Sequence, residues 1–169
     1  MCVAQTCEEI IKKLAPGEPK RLAYVPSQWY HTTVLNRTHF DNVGDVHPLS
    51  ANEAENVRKE AENCDGMTVR ICLKGLVMSE HGRLIIPGTA PDGVLQTLRE
   101  RLVRAEPSLS CAYPGSAHVK LAHLLAPLDE GQWTRFQDEL TAIGDKIDCC
   151  LTFNSIHTPI GAFRLGTGT

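Results

Sequence analysis

From Met67 to Leu73 the chain alternates without interruption: Met67, Val69, Ile71 and Leu73 fall on one side, Thr68, Arg70 and Cys72 on the other. A period of two fits a pleated strand with one buried face and fits no helix. Ser79 to Gly82 carries turn formers, and Arg83 to Ile86 returns as the partner strand of a hairpin. The alternation reappears at Ile147, Cys149, Leu151 and Phe153, and Ala162 to Leu165 reads as a closing strand. Trp29 to Asn36 has the β-branched and aromatic content of another strand, and Ala117 to Leu125 reads as a further one.

Helical periods separate these segments. Cys7, Ile10, Ile11 and Leu14 share a face, and Pro16-Gly17 stops that helix. Ser50 with Glu53 forms a capping box ahead of a helix whose inner face reads Ala51, Ala54, Val57, Ala61 and Cys64. Asp92 to Ala105 is a third helix, with Val94, Leu95, Leu98 and Leu102 inward. Asp129 caps a fourth, with Trp133, Phe136, Leu140 and Ile143 inward. Turn formers fill Asp41 to Pro48 and Pro107 to Ser116.

The order strand, helix, hairpin therefore runs from residue 29 to 86 and again from 117 to 165. The repeat lies in element order, not in the residues themselves. This predicts an α+β fold of two similar lobes of antiparallel sheet with outer helices, paired around a central groove. The expected organisation is a single domain over 1–169. Its first lobe covers about 21–86, a linking helix about 89–106, and its second lobe about 117–166. A chain of 169 residues can bury a sufficient core without staples.

A net charge of −3 excludes broad electrostatic capture of duplex DNA, yet a nucleotide or an RNA end needs only a few local cations. The 7 cysteines include no C-x-x-C pair, and two are adjacent, so no metal ligand set is expected. Their odd number and the absence of a secretory leader predict free thiols, mostly in the core, in a reducing, cytoplasmic compartment. No apolar run approaches the ~20 residues of a membrane span, so no membrane partner is expected. The oligomeric state stays open.

Two strands carry a histidine at matching places. In Trp29-Tyr30-His31-Thr32-Thr33-Val34-Leu35, His31 shares a face with Thr33. In Ala117-His118-Val119-Lys120-Leu121-Ala122, His118 shares a face with Lys120. Val34, Val119 and Leu121 point the other way, toward a helix layer. Packed about a pseudo-twofold axis, the two dyads would meet in one groove. Two imidazoles there suit cleavage of a phosphodiester. One accepts a proton from the attacking oxygen while the other gives one to the leaving alkoxide, near the pH where histidine titrates. Adjacent hydroxyl or ammonium donors would hold the non-bridging oxygens as charge builds.

On these residues the chain resembles the two-histidine (2H) phosphoesterase superfamily, with its LigT-like fold. That family carries a pair of His-x-Thr/Ser motifs on strands of two lobes. The first matches as His31-Thr32-Thr33. The second begins at His118, 87 positions further on, and departs from the pattern because Lys120 stands where the family has Thr or Ser. The segment Leu121 to Leu128 and the capped helix after it also look like that family's second lobe. The resemblance implies a hydrolase, a cyclic phosphodiesterase of nucleotides or RNA ends that needs no metal and no cofactor. In it His31 and His118 are the catalytic acid and base, and Thr33 and Lys120 are the phosphate donors. A lysine there brings a full charge on a mobile stem in place of a short neutral hydroxyl. Tyr30 and Tyr113 are candidates to stack a base, with ordinary packing as the competing reading.

Two other readings stand beside it. One is a non-catalytic nucleotide- or RNA-end-binding protein of the same fold, and the other an unrelated α/β interaction domain with structural histidines. Of the remaining histidines, His123 is expected to be buried and structural, among Val119, Leu121 and Leu125. His157 is expected in a loop because of Pro159, and His39, His47 and His81 in solvated loops or turns. Arg70 is expected to be an exposed strand arginine.

Overall fold

The computed structural model describes residues 22–26, 32–36, 49–109, 115–153, 155–157 and 162–166. Among them the elements are β1 (Leu22–Tyr24), β2 (Thr32–Asn36), α1 (Ala51–Asn63), β3 (Val69–Lys74), β4 (Val77–Met78), β5 (Arg83–Thr89), α2 (Val94–Ala105), β6 (Ser116–Leu124), α3 (Glu130–Gly144), β7 (Asp148–Phe153), β8 (Ser155–His157) and β9 (Ala162–Gly166). The fold is mixed α+β with antiparallel strand pairing. The expected helix over Cys7 to Leu14 lies outside the described residues.

The chain divides into two compact units, interleaved in sequence. One comprises Met1–Tyr30, Cys72–Gly88 and His118–Leu151, the other His31–Ile71, Thr89–Ala117 and Thr152–Thr169.

In the first unit the strand order is β7-β3-β5-β6, with β1 paired to β6 and β4 to β5. The hairpin expected at Ser79 to Gly82 forms: the Ser79 N–H donates to the Arg83 carbonyl and the Gly82 N–H to that of Ser79. Gly82 adopts a φ of 67°, which a side chain would resist. Leu73, Leu84, Ile86, Val119, Leu121 and Ala122 are all sealed from solvent, at 1% exposure or less. α3 starts at a capping box in which Asp129 and Gln132 serve each other's backbone N–H groups. Its Leu140 is buried, while Trp133, Phe136 and Ile143 are half-buried. At its far end a Cβ on Gly144 would lie 2.8 Å from the Leu76 backbone nitrogen, so the helix seats directly on the β3–β4 connection.

Strand register in this unit corrects the expectation of free thiols. The Gly75 N–H donates to the Ile147 carbonyl, and Lys74 Nζ lies 3.8 Å from an Asp148 carboxylate oxygen. That antiparallel register puts Cys72 opposite Cys150 at a pair that makes no mutual backbone hydrogen bonds, where Cα atoms approach most closely. The two form a disulfide across a sequence separation of 78. Cys64 is free and buried, and Cys149 is free on the other face of β7. Burial pushes the Cys64 and Cys149 thiols above their ordinary pKa.

In the second unit α1 and α2 pack together, and the strand order is β2-β9-β8. Ser50 and Glu53 cap α1 reciprocally, as expected. Val57, Ala61 and Cys64 form its buried face, but Ala51 and Ala54, expected on that face, are exposed. α2 buries Leu95, Leu98 and Leu102. Glu60 and Arg101 join the two helices by a 2.6 Å ion pair. Hydrogen bonds from Asn63 and Arg101 hold the Glu60 carboxyl below the usual carboxylate range.

Candidate functional site

β6 is built from alternation. Ala117, Val119 and Leu121 are buried at 3% exposure or less, whereas His118 between them is exposed and Lys120 half-buried. The apolar set seals one side of the strand, so His118 and Lys120 are carried together on the other. Pairing with β1 adds a residue to their side. Tyr24 lies directly across from Ala122, and opposed residues of an antiparallel pair share a face. Tyr24 is half-buried, and burial raises its phenol above the ordinary pKa, so it stays a neutral donor. Sequence reading missed it because Leu22-Ala23-Tyr24 is too short to signal a strand.

His123 corrects an expectation. It is half-buried, not buried, and Leu125 beside it is 63% exposed, because the sealed stretch of β6 ends at Ala122. Partial burial, then the charges of Lys120 and Arg83, lower its pKa below the ordinary value.

In the second unit, β2 carries Thr33, which is half-buried between the sealed Thr32 and Val34. Across the ladder Thr33 faces Arg164 on β9, and Arg164 faces His157 on β8. Thr33, Arg164 and His157 thus occupy one row across three strands. His157 belongs to a strand and not to a loop, since β8 ends before Pro159 and keeps its ladder. No sequence signal could have joined these three, because which strands neighbour one another is not written in any of them.

His31, Tyr30 and Tyr113 lie outside the described residues, as do His39 and His47. His81 is exposed in its turn and Arg70 on its strand, as expected. Among the described residues no group of three or more His, Cys, Asp or Glu could hold a metal ion, and no helix is long and apolar enough to cross a membrane. A scan against models of known protein families finds no match to the chain, and a search of curated proteins finds none either.

Proposed function

We propose that the chain is a phosphoesterase acting by two-histidine acid/base catalysis on a cyclic phosphate or 2′-linked phosphodiester of a nucleotide or RNA end. The observation that supports this most is the presentation of His118 and Lys120 on the unsealed side of a strand whose other side is packed shut. An imidazole beside an ammonium is a proton donor or acceptor next to an anion holder, which is what a departing alkoxide and a charged phosphoryl group require. The half-buried Thr33 offers a hydroxyl from β2, two positions after His31 in sequence. The reading requires His31 and His118 to serve one phosphate, and it carries with it the two-lobed, LigT-like arrangement; the cytoplasmic location expected from free thiols loses that ground to the Cys72–Cys150 disulfide.

The test is turnover of a panel of 2′,3′-cyclic nucleotides and 2′-linked dinucleotides by wild type and a His31→Ala/His118→Ala double variant. The reading expects hydrolysis by wild type, unchanged by a chelator, and none above background in the double variant. Equal turnover by both would overturn it. Binding without turnover would favour the non-catalytic nucleotide-binding alternative.

A further inference from the structure

Arg99, on α2, is 4% exposed, a charged side chain placed among the apolar residues of the second unit. A buried guanidinium is tolerated only when its donors are used. Its Nε donates to the Val34 carbonyl at 2.9 Å, and its Nη2 reaches toward the Thr33 carbonyl at 3.5 Å. Both acceptors belong to the strand of the first histidine motif, one of them to Thr33 itself.

The strand is irregular at this point. Thr33 pairs with Arg164, but Asn36 pairs with Ala162, so two residues of β2 stand against one of β9. The extra residue explains why Val34 and Leu35, although consecutive, are both 1% exposed. A bulge takes backbone groups off the ladder and re-aims the neighbouring side chain. Here the guanidinium supplies donors to the carbonyls at the bulge, and its planar fork can serve two neighbouring acceptors at once. The ammonium of a lysine is a point donor and cannot hold the same pair in fixed orientation.

We propose that Arg99 is a positioning residue for the first motif: it pins the β2 bulge through the Val34 and Thr33 carbonyls and thereby aims Thr33 at the phosphate. This rests on the phosphoesterase reading. Misplacing a donor by about an ångström costs on the order of 100-fold in rate. Arg99→Lys should therefore lower kcat/KM roughly 10- to 100-fold in protein that remains folded.

A double-mutant cycle with Thr33→Ala separates positioning from plain structural support. If Arg99 acts through Thr33, Arg99→Lys changes kcat/KM by less than about 3-fold once Thr33 is already alanine. Equal costs in both backgrounds, or a fully active Arg99→Lys enzyme, overturn the proposal and leave the phosphoesterase reading intact. A wild type that hydrolyses neither a 2′,3′-cyclic nucleotide nor a 2′-linked dinucleotide removes that reading, and the positioning role with it. Should Arg99→Lys not fold, the wild-type Arg99 Nε–H is followed by NMR while a nucleoside 2′-monophosphate is added. A slowly exchanging proton that shifts on saturation supports the proposal, and one that stays unmoved overturns it.

Discussion

Lys120 shares a face of β6 with His118, and its charge reaches His123 on the same strand. Lys120→Thr should therefore move the His123 ring part of the way back toward its ordinary pKa. The shift is partial because burial, the larger cause, remains. An NMR titration of His123 in both proteins reads this, and an unmoved ring would mean that Lys120 exerts no field there. The same lowering has a consequence for stability. Between the folded pKa of His123 and about 6.5, the unfolded chain binds more protons than the folded one. Stability from this group is thus complete above pH ~6.5, falls as the pH drops below it, and levels off below the folded pKa. Melting curves between pH 7.5 and 5 should show a steeper acid slope for wild type than for His123→Gln. Equal slopes would contradict the assignment. At this scale the sequence was informative about alternation, which separated His118 and Lys120 from Val119 and Leu121. It misjudged His123, because where a sealed stretch of strand ends depends on what lies over it.

Two contacts between elements carry predictions of their own. A side chain at Gly144 would push against the Leu76 backbone, which has no flexible end to give way. Gly144→Ala should cost about 1–3 kcal/mol as an overpacked site, read as a lowered Tm. A variant as stable as wild type would mean the helix end can shift freely. The Cys72–Cys150 bond closes a loop spanning 78 positions, so its loss relaxes the unfolded chain. Reduction, or Cys72→Ser, should lower stability by about 2–4 kcal/mol, measured by urea denaturation with and without a thiol reductant. Equal midpoints would show that the bond does not constrain the unfolded state. The capping box at Ser50 and the cap at Asp129 were legible because a cap is written in neighbouring residues. The disulfide was not, since it depends on the register between β3 and β7. The β2 bulge was hidden for a related reason, because Val34-Leu35 reads equally well as plain strand.

For the molecule as a whole, helix and strand periods were enough to establish an α+β chain with hairpins, and they are local properties. Which strands neighbour one another is not local. The pairing of β1 with β6, which puts Tyr24 on the face of β6 that carries His118 and Lys120, and the row of Thr33, Arg164 and His157 both came from topology alone. The central claim is that two imidazoles divide proton acceptance and donation on one phosphodiester. Its most direct test is the pH dependence of kcat/KM on a 2′,3′-cyclic nucleotide for wild type, His31→Ala and His118→Ala. Wild type should give a bell, and each single variant should lose about 10²–10⁴-fold in rate and one limb of that bell, a different limb in each. A variant that keeps both limbs and near-normal turnover would contradict the account.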